Sequence, residues 1–178
     1  MPEIDYSRIE LLVLDVDGVL TDGRIVLTAG GEEIKSFSVR DEAGMKYWKR
    51  AGGKLALVTG RAAAAVRHRA EELAVDAVRL GAKRKGPACE EVLAELGVAP
   101  ERACAMGDDL TDLPMLRRCG FSAAPADAVD EVRRAVDYVA AAPGGAGCVR
   151  EVIELILRKS GRWERIMARY LPDGDMGA

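Results

Sequence analysis

LLVLDVDGVL, residues 11–20, is the stretch on which the reading of this chain turns. Four aliphatic residues, Leu11 to Leu14, lead into Asp15 and Asp17, with Val16 between them and Gly18 after. An unbroken apolar run of this length suits a strand buried on both faces, as in a parallel sheet. A carboxylate at the tip of such a strand is costly to desolvate unless something pairs with it.

Outward from this strand, the pattern alternates. Arg24–Thr28 and Ile34–Val39 read as arms of a hairpin around the turn Ala29-Gly30-Gly31-Glu32. Glu42–Ala51 reads as a helix stopped by Gly52-Gly53. Lys54–Val58 is a second buried strand, followed by a helix over Ala62–Leu73 and a short strand over Asp76–Arg79. Pro87 opens a helix that runs to Leu96. Ala103–Met106 is a strand, Asp112–Arg118 a short helix, Phe121–Ala123 and Tyr138–Val139 the last strands, and Gly147–Leu157 the last strong helix. The expected fold class is α/β: a Rossmann-like three-layer α/β/α parallel sheet with a protruding β-hairpin, in one domain over residues 1–160. Residues 161–178 lack a clear periodic face and read as a partly disordered tail.

The totals fit this reading. A chain of 178 residues with 49% hydrophobic and 31% charged content is globular, and 4% aromatics leave the core to Ala, Val and Leu. A net charge of −3 gives no basic field for nucleic acid, and no apolar run is long enough for a membrane span. The acidic, polar start is no signal peptide, so the expected compartment is the cytoplasm. Cys89, Cys104, Cys119 and Cys148 form no metal-binding spacing, and His68, the one histidine, reads as a surface residue; reduced, mostly buried thiols are expected.

In parallel sheets, ligands bind beyond the carboxyl ends of the strands. Three strand ends here carry polar residues: Asp15 with Asp17, Thr59 with Gly60 and Arg61, and Gly107-Asp108-Asp109. Acids at Asp108, Asp109 and Asp112 can complete a Mg²⁺ site with the first pair, since that cation takes carboxylates, phosphate oxygens and water. Lys85 can balance the acids and hold a phosphate; Lys83 and Arg84 read as solvated. These are the parts of phosphoryl transfer through an aspartyl-phosphate. In an extended chain residues i and i+2 point the same way, so Asp17 can address the substrate of Asp15. Against a calcium loop, the fifth and twelfth positions are Val19 and Val26, where an acid or amide and a Glu would be required. Asp112 reads equally as a metal neighbour or a helix cap, and Arg61 as a substrate contact or a solvated helix start.

"DVDGVLTDG", "VTGR", Lys85 and "MGDDLTD" resemble, in order and spacing, the four motifs of the haloacid dehalogenase superfamily of phosphatases. The resemblance implies Asp15 as nucleophile, Asp17 as general acid/base, Thr59 and Lys85 on the phosphate, and Mg²⁺ held by Asp15, Asp108 and the Asp17 backbone carbonyl, with Asp109 in support. Only 43 residues separate Asp15 from Thr59 and 25 separate Thr59 from Lys85, so no cap domain fits. Among capless members, "DVDGVLTDG", the hairpin, "RDEAGMKYWKRAGGKLALVTGR" and "GGAGCVREVIELIL" are similar to the phosphatases of 3-deoxy-D-manno-octulosonate 8-phosphate. That family implies a homotetramer in which hairpins meet at the centre and a neighbouring subunit covers each active site. A hairpin exposing Ile25, Leu27, Ile34 and Phe37 on a monomer fits such burial. The function implied is hydrolysis of the octulosonate 8-phosphate in lipopolysaccharide synthesis. The alternatives are a nine-carbon nonulosonate 9-phosphate phosphatase, a broad sugar-phosphate phosphatase, or a phospho-receiver module without turnover; Asp17 speaks against the last, because a stable acyl-phosphate gains nothing from a proton shuttle.

Overall fold

The computed structural model describes residues 4–171. In chain order they form β1 (Leu11–Leu14), β2 (Val26–Leu27), β3 (Glu33–Ile34), α1 (Val39–Arg50), β4 (Lys54–Val58), α2 (Ala64–Glu72), β5 (Ala77–Arg79) and α3 (Lys85–Leu96). Then come β6 (Ala103–Met106), α4 (Leu113–Leu116), β7 (Phe121–Ala124), α5 (Asp130–Arg133), β8 (Tyr138–Val139), α6 (Cys148–Lys159) and α7 (Trp163–Met167). Six strands make one parallel sheet in the order β5-β4-β1-β6-β7-β8, and β2 and β3 pair separately as an antiparallel hairpin.

Alternation along each central strand feeds two cores. Leu12 and Leu14 of β1, Leu55 and Leu57 of β4, and Cys104 and Met106 of β6 face one core with Met45, Trp48, Val152, Ile153 and Ile156. Leu11 and Val13, Ala56 and Val58, and Ala103 and Ala105 face the other, with Cys89, Val92 and Leu93 of α3. The expected α/β/α sandwich is therefore present, and its core is mostly aliphatic. Trp48, fully buried, donates its indole N–H to the Lys54 carbonyl at 2.8 Å. Its ring occupies the space beside Gly53, where a Cβ would lie 2.1 Å from Cε2.

Several boundaries differ from the sequence reading. The hairpin arms pair over two residues each rather than over Arg24–Thr28 and Ile34–Val39. The second arm ends early because Ser38 caps α1: its hydroxyl accepts from the amides of Arg40 (3.2 Å) and Asp41 (3.5 Å), so the helix starts at Val39 and not Glu42. Ile25, Val26, Leu27 and Ile34 are 48–60% exposed, but Phe37 is partly buried against the core with the Arg69 guanidinium over its ring. The expectation of an exposed Phe37 is thus corrected. Helix α3 begins at Lys85, two residues before Pro87. Beyond Gly161, Trp163 and Ile166 of α7 are buried, so this stretch packs on the core; residues 172–178 lie outside the described residues.

Candidate active site

The chain leaves β1 toward β4 and β5 on one side, then returns to β6 on the other. That reversal opens a crevice at the carboxyl ends of β1, β4 and β6, where open α/β sheets bind ligands. Asp15 follows β1 directly, and its amide donates to the Met106 carbonyl at 3.0 Å, tying the tip of β1 to that of β6.

Four charged groups converge there. Asp15 is 4% exposed, Lys85 5% and Asp112 0%. The Lys85 ammonium lies 2.7 Å from Asp15 Oδ1 and 2.5 Å from Asp112 Oδ1. Among the described residues, Asp15 Oδ1 has no polar partner other than this ammonium. Carboxylate oxygens of Asp15, Asp108 and Asp112 lie within 4.8 Å of one another. Burial, reinforced by the Asp112 charge and opposed by Lys85, pushes the Asp15 carboxyl up to about 8. Burial and Asp112 likewise push Asp108 up to about 6. Burial draws the Lys85 ammonium down, but Asp15 and Asp112 outweigh it and the net shift is upward. Three crowded carboxylates are a donor set that fits a hard divalent cation, and Lys85 balances part of their charge.

Backbone geometry builds this cluster. Gly18 has φ +90°, and a Cβ there would lie 2.1 Å from Asp108 Oδ2, so only glycine lets the Asp108 carboxylate approach the loop after β1. Thr21 gathers that loop, its hydroxyl accepting from the amides of Gly18 (3.4 Å) and Gly23 (3.2 Å). The glycines expected ahead of the last helix have a packing role: a Cβ on Gly144 would lie 2.0 Å from the Gly18 carbonyl oxygen, and one on Gly145 would lie 2.7 Å from the Thr21 carbonyl carbon.

Asp112 resolves its two readings together. Its Oδ2 accepts from the amides of Asp108 (3.0 Å) and Asp109 (3.2 Å) while Oδ1 meets Lys85. It anchors the loop that carries Asp108 and sits at the acid cluster. Asp109, by contrast, is exposed; its carboxylate caps the following turn by accepting from the Leu110 amide at 2.8 Å, and it is not one of the three clustered acids.

Asp17 meets a different lysine. Lys35, from the hairpin, ion-pairs with Asp17 and with Glu33 at 2.6 Å. Thr59, 1% exposed, directly follows β4; its amide donates to the Arg79 carbonyl (2.9 Å) and its hydroxyl accepts from the Arg61 amide (3.3 Å). Gly60 and Arg61 line an open cleft of about 690 Å³ whose other wall is Gly31, Glu32 and Glu33 of the hairpin. Arg61 reaches across to Glu33 at 3.5 Å. Lys83, Arg84 and His68 are exposed. A second cavity, beside Arg50, Arg162, Arg165 and Arg169, adjoins the end of α1, which precedes β4, and so lies at the opposite edge of the sheet.

Sequence reasoning missed Lys35, Glu33 and Thr21, and left Asp112 open. The signal for the hairpin pair was present: Glu33 and Lys35 flank Ile34, so they share the face opposite to it. What could not be read was that this face turns toward Asp17.

A family model described as haloacid dehalogenase-like hydrolase matches residues 78–149, the part of the chain that supplies Lys85, Asp108 and Asp112. The class defined by fold and site is that of haloacid dehalogenase-like hydrolases. The 3-deoxy-D-manno-octulosonate 8-phosphate phosphatase of Haemophilus influenzae is 41% identical over 156 residues, covering 88% of this chain and 87% of that one. The crystal structure of the Moraxella catarrhalis phosphatase of the same name, in complex with magnesium, phosphate and KDO, superposes with a TM-score of 0.90 at 36% identity, covering 93% of this chain and 95% of that one. The cobalt-bound form from Haemophilus influenzae gives a TM-score of 0.85 at 40% identity, over 88% and 91%. The chain belongs to the 3-deoxy-D-manno-octulosonate 8-phosphate phosphatase family.

Proposed function

We propose that this chain is a Mg²⁺-dependent phosphomonoesterase that hydrolyses 3-deoxy-D-manno-octulosonate 8-phosphate through a phosphorylated Asp15. The observation that carries this reading is the buried Asp15, ion-paired with Lys85 and crowded against Asp108 and Asp112, at the switch point of the sheet.

Asp15 attacks phosphorus, the bond to the sugar oxygen breaks, and Asp17 delivers its proton to that oxygen. Asp17 then takes a proton from the water that attacks the aspartyl-phosphate, and the Asp15–phosphorus bond breaks to release phosphate. Lys85 neutralises phosphoryl oxygens, and the Thr59 hydroxyl orients them. Asp112 keeps Lys85 charged and holds the Asp108 loop. Asp15, Asp108 and the Asp17 backbone carbonyl would hold Mg²⁺, which would add positive charge against the phosphoryl group. Gly60 and Arg61 face the sugar acid from the cleft. We place the enzyme in the cytoplasm as a homotetramer, with a neighbour closing the cleft; among the described residues no helix is long and apolar enough to cross a membrane.

The test is phosphate release with Mg²⁺ from a panel of sugar phosphates, beside Asp15→Asn. Preference for the octulosonate ester, lost in the variant by at least about 10³-fold, supports the reading. Preference for a nine-carbon ester, or equal weak rates on many, keeps the chemistry and removes the named substrate. No release from any ester overturns it.

A further inference from the structure

Each of the paired acids has its own lysine. Lys85 meets Asp15 and Asp112, whereas Lys35 meets Asp17 and Glu33. The Lys35 side chain is 1% exposed, a burial that lysines reach almost only when paired. Among the described residues, Lys35 is the one hydrogen-bond donor to the Asp17 carboxylate, which is otherwise 22% exposed and lies beyond the end of β1. The contact is to Asp17 Oδ1 alone; Oδ2 has no hydrogen-bond partner among the described residues. Glu33 holds Lys35 from the same face of the hairpin, and Arg61 holds Glu33 in turn.

We propose that Lys35 is the positioning residue through which the hairpin aims the Asp17 carboxylate at the leaving oxygen and then at the attacking water. This rests on the reading above that Asp17 is the acid and base of the reaction. A side chain that rotates freely meets each partner less often, so the loss falls on the proton transfers and not on binding of the phosphate. The same hairpin exposes Ile25, Val26, Leu27 and Ile34 on its other residues.

The experiment compares the wild-type protein, Lys35→Met and Lys35→Arg with Mg²⁺ on two esters. The octulosonate 8-phosphate is an alkyl ester whose leaving oxygen needs a proton. The 4-nitrophenyl ester releases a stable anion without one, but its aspartyl-phosphate still needs Asp17 for hydrolysis. For Lys35→Met, kcat on the sugar ester is expected to fall about 10- to 100-fold with KM within about threefold of wild type. On the aryl ester the same variant is expected to show a nitrophenolate burst approaching one equivalent of enzyme, larger than the wild-type burst, before slow turnover. Lys35→Arg, which keeps a donor, recovers about tenfold over Lys35→Met. An unchanged kcat, a rise in KM alone, or an equal loss of burst and turnover overturns the proposal. A thermal melt of each variant separates misfolding from these outcomes, and Lys35→Leu stands in if Lys35→Met does not fold. Failure of the wild-type protein to cleave either ester would sink the phosphatase reading itself.

Discussion

At the scale of single residues, the site works by confining charge. Asp15 and Asp108 are forced toward protonation because burial removes them from water and Asp112 repels them. In the unfolded chain both titrate near 4. The folded protein without metal therefore holds protons that the unfolded chain has already lost, and this contribution to stability is complete below about pH 4. It is lost as pH rises, through about 6 for Asp108 and about 8 for Asp15. In the presence of chelator, denaturation midpoints are expected to decline across this window, and the rise in melting temperature on adding Mg²⁺ is expected to grow with pH. A flat profile, or one unaffected by Asp15→Asn, would contradict the assignment. Gly18 sets a second residue-level expectation. Because a Cβ there meets Asp108 Oδ2 at 2.1 Å, Gly18→Ala should raise the Mg²⁺ concentration for half-maximal activity about 10- to 100-fold, as read from a metal titration.

At the scale of elements, the crevice depends on struts that take no part in chemistry. Asp41, in the first turn of α1, is 1% exposed; its carboxylate accepts from the amides of Gly147 (3.0 Å) and Arg150 (2.9 Å) at the start of α6. Burial raises its carboxyl while these backbone donors oppose the rise. It thus caps one helix from another, and behind that joint the Gly144–Gly145 backbone presses on the loop bearing Asp17 and Gly18. Asp41→Ala is expected to cost about 2–3 kcal/mol in urea unfolding, because two donors lose a charged acceptor in a dry site. A cost within experimental error of zero would show that water replaces the cap. This joint was only half legible in the chain: the glycines before the last helix were visible in the sequence, but the backbone contact that requires them was not.

At the scale of the molecule, the hairpin is the unfinished part. It is two residues wide on each arm and carries four apolar side chains that are about half exposed. Burying them against other copies removes apolar surface from water, each large side chain being worth about 1.5–3 kcal/mol. Light scattering coupled to size exclusion is expected to give a tetramer, and Leu27→Lys with Ile34→Lys a smaller species with reduced turnover. A wild-type monomer would refute this assembly. Loss of assembly with full activity would mean that the neighbour adds nothing to the site.

The chain alone disclosed the fold class and the acids. Runs of consecutive apolar residues within Leu11–Leu14, Lys54–Val58 and Ala103–Met106 suit strands buried on both faces of a sheet, and polar residues at their ends collect at one edge. Those are local patterns, legible because period and strand direction are properties of short segments. Tertiary structure alone decided which cation serves which acid, that Asp112 rather than Asp109 stands in the cluster, that Phe37 turns inward, and that Trp163 docks beyond the last strong helix. Each of these depends on contacts between segments far apart in the chain. Their energy comes from desolvation and packing at a meeting point that no single segment encodes.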